Sequence, residues 1–191
     1  ESSRETIERA ACEHLATVEG YRVAWVAEPD AAGESLGVRA SDGDERGYAE
    51  SLSVDLGGDG AGDHPSVTAF ETGEVSAVQG LATGTALGEW RKAALRAGLQ
   101  SMIAVPLAGE GTVHGVLTIA AGDPSAFDED TAEILAELGR SVGHAVSVVE
   151  RRAALESDTT TELEFEVDDD ALSFVWLARS EEHTSELQSP S

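Results

Sequence analysis

The residues able to carry chemistry are few and scattered. Of the five histidines, His14, His64, His114 and His144 fall on a helix, a loop, a strand and a helix. None stands in a His-x-His or His-Glu-x-x-His spacing, so satisfied or exposed rings are expected and no metal is assigned. Asp55, Asp59 and Asp63 are four apart in a glycine-rich loop. That is not the EF-hand spacing, and a solvated loop is expected. Gly58, Gly60 and Gly62 lack a preceding strong strand and a Gly-Lys-Ser/Thr, and Asp59 and Asp63 would repel a phosphate. Cys12 is the only cysteine. Thiol redox chemistry needs one sulfur to attack and another to resolve, so Cys12 reads as a small buried hydrophobe. Trp90-Arg91 is the pair of most interest. The indole could wall a pocket and the guanidinium could bind a carboxylate or pair with an acid at its rim. The structural reading, which is preferred, is that Trp90 pins a helix to a sheet while Arg91 balances an acidic surface. Ser101 opens a strand, its hydroxyl facing either a pocket or neighbouring backbone. Tyr48 and Phe70 lie in the middle segment that should cover such a pocket. No cofactor is identified.

These residues must be positioned by a recognisable order of elements. Ile7, Ala11, Leu15 and Val18 share one face of a helix over 3–18. Tyr21 to Ala27 and Leu36 to Ala40 read as a hairpin around Pro29 to Gly33. Tyr48 to Leu52 is expected as a short helix, and 57–63 as irregular. Pro65 suits the first position of a helix through Thr72. Val75 to Val78 is a brief strand, and Glu89 to Ala97 a helix that Gly98 closes. Ser101 to Leu107 and Val113 to Ala121 flank a turn at Gly109-Glu110-Gly111, with Pro106 marking an edge or bulge. A long helix follows over about Asp128 to Leu155, capped at Asp128 or Asp130. Leu135, Leu138, Val142, Ala145 and Val149 form its heptad seam. The order predicts an α+β domain, an antiparallel sheet of five or six strands with the N- and C-terminal helices on one face. The irregular middle segment would cover the other face and enclose a ligand pocket.

Composition narrows the partners. The chain has 191 residues, 37 of them acidic and 12 basic, for a net charge of −25, and Lys92 is its one lysine. Such a surface repels nucleic acid and anionic membrane. No apolar run approaches the roughly 18 residues of a membrane span, and no signal-peptide pattern is visible, so a cytoplasmic origin is the expectation. Acidic, lysine-poor sequence of this kind looks like that of an extreme halophile. The first residue is Glu1 and the only methionine is Met102, so a piece of a longer polypeptide is expected.

Several stretches together resemble a GAF domain. They are Tyr21 to Ala27, Trp90-Arg91, Ala97 to Leu107, His114 to Ile119, and Phe127-Asp128 with the long helix. The resemblance covers roughly residues 5–152. Two positions depart from the family pattern. Trp90-Arg91 follows Glu89 where a proline is usual, and His114 stands where tyrosine is frequent, which makes His114 a further ligand candidate. Residues 161–177 alternate as Leu163, Phe165, Val167 and then Leu172, Phe174, Trp176. This segment resembles the opening of the domain that follows GAF in bacterio-opsin activator-like transcription regulators of halophilic archaea.

The resemblance implies a GAF sensor domain over 1–152, a linker over 153–160, and a truncated β-hairpin over 161–178 that begins the activator's GAF/helix-turn-helix-associated domain. Residues 179–191 look like the translation of a sequencing adapter and are expected to be non-native. The implied function is a non-catalytic, small-molecule or signal-sensing module of a transcription regulator, with the DNA-binding part expected to be absent from this chain. Its candidate ligand residues are Trp90, Arg91, Ser101, Tyr48, Phe70 and His114. A homodimer through the terminal helices is implied, with the stretch after Val146 (Val149, Arg151, Arg152, Leu155) as the seam. The alternatives are a dimerisation scaffold without ligand and an enzyme of the GAF-fold methionine sulfoxide reductase type.

Overall fold

The computed structural model describes residues 3–43, 46–56, 63–83 and 87–158. The chain divides into a unit Glu1–Ala154 and a unit Leu155–Ser191, and the first carries every element below except the end of the last helix. The expected hairpin over 161–178 and the tail over 179–191 lie outside the described residues.

Six strands form one antiparallel sheet in the order β3-β2-β1-β6-β5-β4. Strands β1 (Tyr21–Pro29) and β2 (Ser35–Asp42) pair as expected. Asp30 fixes their turn by accepting from the Glu34 N–H at 2.9 Å and the Ser35 hydroxyl at 2.8 Å. Strands β5 (Ser101–Gly109) and β6 (Thr112–Ala121) turn through Glu110 and Gly111, both with positive φ, as a two-residue hairpin requires. The central pairing of β1 with β6 joins the two hairpins.

β1 does not alternate buried and exposed residues. Val23 to Ala27 are all buried, because the strand is covered on both faces. On one face lie α1 (Arg4–Ala16) and α4 (Glu129–Asp158), with Cys12, Leu15, Leu135, Val142 and Val146 packed on Ala24, Val26, Ile103 and Ile119. On the other lie α2 (Pro65–Thr72) and α3 (Glu89–Arg96), with Val67, Trp90 and Ala94 packed in one cluster with Val23, Trp25 and Met102. The terminal helices thus share a face, as the sequence order predicts.

Some elements differ from expectation. Residues 48–52 form turns rather than a helix, held by Ser51 N–H to Gly47 O and Leu52 N–H to Ala49 O. The short strand β3 (Ser53–Asp55) then pairs with β2, and three residues are too few to show a period. Strand β4 (Ser76–Val78) pairs only with Met102 to Ala104. Pro106 therefore lies past the end of β4, on a stretch of β5 that pairs with β6 alone. Asp128, not Asp130, caps α4, accepting from the Thr131 N–H at 2.9 Å. Leu135 and Val142 of the heptad seam face the chain's own sheet, and Val149 is half-buried.

An ion-pair network ties the helix face together. Arg4 of α1 reaches Glu8 at 2.6 Å, Glu28 of β1 at 2.8 Å and Glu150 of α4 at 2.5 Å. Arg39 of β2 reaches Glu8 at 2.9 Å and Glu28 at 2.6 Å. Glu8 is only 1% exposed, so these partners are what permit its burial.

Candidate functional site

Because Pro65 takes the first position of α2, the residue before it becomes the N-cap. That residue is His64. Its backbone is extended, and its Nδ1 accepts from the Ser66 N–H at 3.2 Å. A neutral ring that accepts at Nδ1 carries its proton on Nε2. Burial pushes the His64 pKa down to about 4, the Asp63 charge opposing only in part. The imidazole is neutral near pH 7, and its buried Nε2–H has no hydrogen-bond partner among the described residues.

The His64 ring meets the Trp90 ring nearly edge-on, with centroids 4.7 Å apart. Trp90 Nε1 donates to Asp63 Oδ1 at 2.7 Å. Arg91 donates to Asp63 Oδ2 from Nε at 3.1 Å and from Nη2 at 2.9 Å, and its guanidinium stands 5.0 Å from the Trp90 ring centre. Burial alone would raise the Asp63 carboxyl. The Trp90 hydrogen bond and the Arg91 guanidinium outweigh it and hold the group below its ordinary value. The tryptophan–arginine pair of α3 thus clamps the residue next to His64 and fixes the start of α2.

The sheet supplies the rest. Trp25 of β1 is fully buried, and its Nε1–H also lacks a partner among the described residues. Its ring meets Tyr48 nearly edge-on at 5.8 Å. Ser66 Oγ and Thr118 Oγ1 share a buried hydrogen bond of 2.8 Å between α2 and β6. Phe70 packs half-buried against the same cluster. Two desolvated N–H donors therefore remain on the face covered by α2 and α3. An unpartnered buried donor costs about 1–3 kcal/mol, so an oxygen acceptor from outside the chain would be stabilised there.

Four of the expected residues, Tyr48, Phe70, Trp90 and Arg91, fall on this face or at its edge. Two do not. Ser101 points to the α1/α4 side, where its hydroxyl donates to Asp123 O at 2.6 Å, because β5 alternates and Met102 takes the other side. His114 also turns away. The β5–β6 register shifts so that Leu107 opposes Gly115 and Ala108 opposes Val113, leaving His114 as an extra residue. Such a bulge re-aims a side chain. His114 Nδ1 lies 3.1 Å from Glu150 of α4 and its Nε2 2.8 Å from Ser147.

Sequence reasoning places His64 in a loop as a satisfied or exposed ring. The structure corrects this, since the ring is buried with one nitrogen unpartnered. The available signal was a polar residue directly before a helix-opening proline. Cys12 is buried on α1, with Sγ 3.7 Å from Ala40 O, and burial pushes its thiol up to about 12. It stays protonated, which is the wrong state for a nucleophile. Among the described residues no group of three or more His, Cys, Asp or Glu is placed to hold a metal ion. Nor is any described helix long and apolar enough to cross a membrane.

The family model described as "GAF domain" matches residues 1–147. A comparison with curated proteins finds no match. Among solved structures, the GAF domain region of a Geobacter sulfurreducens protein aligns over 76% of this chain and 94% of its own, at 19% identity and TM-score 0.63. The second GAF domain of DevS from Mycobacterium smegmatis covers 80% of this chain and 99% of its own, at 20% identity and TM-score 0.60. A free methionine-R-sulfoxide reductase from Neisseria meningitidis, in complex with its substrate, covers 80% and 83%, at 19% identity and TM-score 0.60. At these identities the likeness is one of fold.

Proposed function

The chain belongs to the GAF domain family, and on that premise we propose that it is a non-catalytic receptor module for a small molecule. The ligand presents an oxygen acceptor to the face of the sheet covered by α2 and α3. The observation that carries this reading is the pair of buried, unpartnered donors, Trp25 Nε1–H and His64 Nε2–H. A neutral imidazole and an indole favour a carbonyl, carboxylate or hydroxyl oxygen amid aromatic surface. We place the module in the cytoplasm, in a transcription regulator of the bacterio-opsin activator type. The net charge of −25 argues that DNA is contacted by another part of such a protein. The reductase reading lacks support, because the chain's one thiol is buried and held protonated.

Native mass spectrometry of the purified full chain tests the receptor reading. The expected result is a small-molecule adduct on the wild type that is lost from His64→Asn and Trp25→Phe. A wild type that carries no adduct, even after incubation with a cell extract, would count against it.

A scaffold reading has one specific observation in its favour. Ile134 is 70% exposed and Val148 47% exposed, two heptads apart on α4. A second copy laid along that stripe would give a homodimer through the terminal helix. Such a seam would take in Ile134 and Val148 beside the expected stretch after Val146, in which Arg151 is engaged with Glu110. The same spectra report it as a dimer mass that Ile134→Glu abolishes.

A further inference from the structure

In a chain with 37 acidic and 12 basic residues, nearly any guanidinium can find a carboxylate. Arg4, Arg9, Arg39, Arg91, Arg140 and Arg151 each form an ion pair. Arg22, Arg46 and Arg96 show none among the described residues, and the first two line one cleft. That cleft, of about 480 Å³, lies between the C-terminal ends of α1 and α3, the start of β1, and Gly43 and Arg46. Its volume falls in the roughly 300–1,000 Å³ range of small-molecule sites.

The backbone around the cleft is shaped to hold these two side chains. Gly43 has φ +83, and a Cβ there would lie 2.6 Å from Arg22 O, so only glycine lets the chain pass. A Cβ on Gly122 would lie 3.2 Å from Arg22 Nε, and one on Gly98 would lie 3.4 Å from Arg46 Nη1. Both guanidiniums therefore rest on bare backbone, one on Gly122 and one on Gly98. Arg46 Nη1 also donates to Arg96 O at 3.0 Å, which fixes the planar group and uses one of its five N–H donors. Val23 and Leu99 add buried apolar lining.

We propose that this cleft is a second binding site, for a small anion with a phosphoryl group held between Arg22 and Arg46. Two guanidiniums supply two positive charges, and a phosphate monoester carries about −1.5 to −2 near pH 7. The guanidinium fork matches phosphate oxygens geometrically. The chain's overall charge disfavours nucleic acid and anionic membrane, so the ligand is a small soluble one. At physiological ionic strength carboxylates beyond about 8 Å are largely screened from the cleft. The site uses none of the polar groups around His64 and Trp25 and stands without the receptor reading above.

Isothermal titration of the full chain with inorganic phosphate tests it, with succinate as the dicarboxylate arm and KCl holding ionic strength constant. Arg22→Gln and Arg46→Gln are the variants. Arg9→Gln, an exposed residue of α1, removes the same charge elsewhere. Phosphate is expected to bind in the millimolar range and more tightly than succinate. Each cleft variant is expected to weaken it about tenfold, the double variant to abolish it, and Arg9→Gln to leave it unchanged. His64→Asn should also have no effect. Absence of phosphate binding, tighter binding of succinate, or an equal loss in Arg9→Gln would overturn the proposal.

Discussion

A histidine kept neutral in the core makes the stability of this chain depend on pH. In the fold, burial pushes His64 down to about 4, whereas an unfolded histidine titrates near 6.5. Below pH 6.5 the unfolded state binds the proton more readily. The contribution is therefore complete above about pH 6.5 and is lost as pH falls toward about 4. Between pH 7.5 and 5 the loss is about 2 kcal/mol. His64→Asn keeps an N-cap acceptor and removes the titration. Urea unfolding at the two pH values should show that loss in the wild type and not in the variant. Asp63, Asp123 and Asp128 are also held below their ordinary values, and what they contribute is lost only at lower pH. Equal slopes in both proteins would mean that His64 is not the group responsible. The same residue shows what a sequence can and cannot reveal. Trp90 and Arg91 can be read as a chemical pair because they are adjacent. Their acid, Asp63, lies 27 positions away and is brought to them only by the fold. The orphan donors are harder still, because a missing partner leaves no mark in a sequence.

At the scale of elements, the order of strands and helices was legible because long elements repeat their pattern many times. The failures are local. β3 spans three residues, and the His114 bulge depends on the pairing of two strands rather than on either one. The seating of α4 was equally hidden. Gly139 and Gly143 lie one turn apart on the side facing β5, and a Cβ on Gly143 would come within 2.5 Å of the Ala108 backbone. The helix backbone rests directly on the strand, so Gly143→Ala must push them apart. We expect a loss exceeding the roughly 1–3 kcal/mol of ordinary overpacking, against an intrinsic helix gain of about 1 kcal/mol for alanine. Gly37→Ala is the control, since nothing lies within 4 Å of its added methyl. Thermal unfolding should show a large drop for the first and almost none for the second. The Arg4 network makes a second demand on these elements. Arg4→Met strips Glu8 of one of its two arginines while it stays 1% exposed. The expected cost is about 3 kcal/mol, at the low end for a broken buried pair because Arg39 remains. Glu8→Gln should cost less, because no buried charge is then stranded. A costlier Glu8→Gln would contradict this account.

For the whole molecule, the governing quantity is a net charge of −25 on 191 residues. Folding gathers these carboxylates onto one small surface, so their repulsion acts against the compact state and is weaker in the expanded chain. Salt decides how far that repulsion reaches. The Debye length is about 3 Å at 1 M and about 30 Å at 0.01 M. In molar salt each carboxylate is nearly isolated, whereas in millimolar salt all of them act together. The attractions do not change to the same extent. The exposed pairs Arg9–Glu13 and Arg140–Glu137 are worth little in any medium. The Arg4–Glu8 pair is shielded from solvent and is screened less. Burial of the two apolar layers does not weaken in concentrated KCl. Lowering the salt therefore adds repulsion without adding a comparable attraction. We expect the melting temperature to fall steadily as KCl goes from multimolar to millimolar, with helical circular dichroism lost at the low end. A chain with its surface carboxylates Glu133, Glu137 and Glu129 changed to glutamine should tolerate lower salt than the wild type. Circular dichroism that stays unchanged across the whole range, in both proteins, would show that the charge is carried without cost and would remove the case for a high-salt interior.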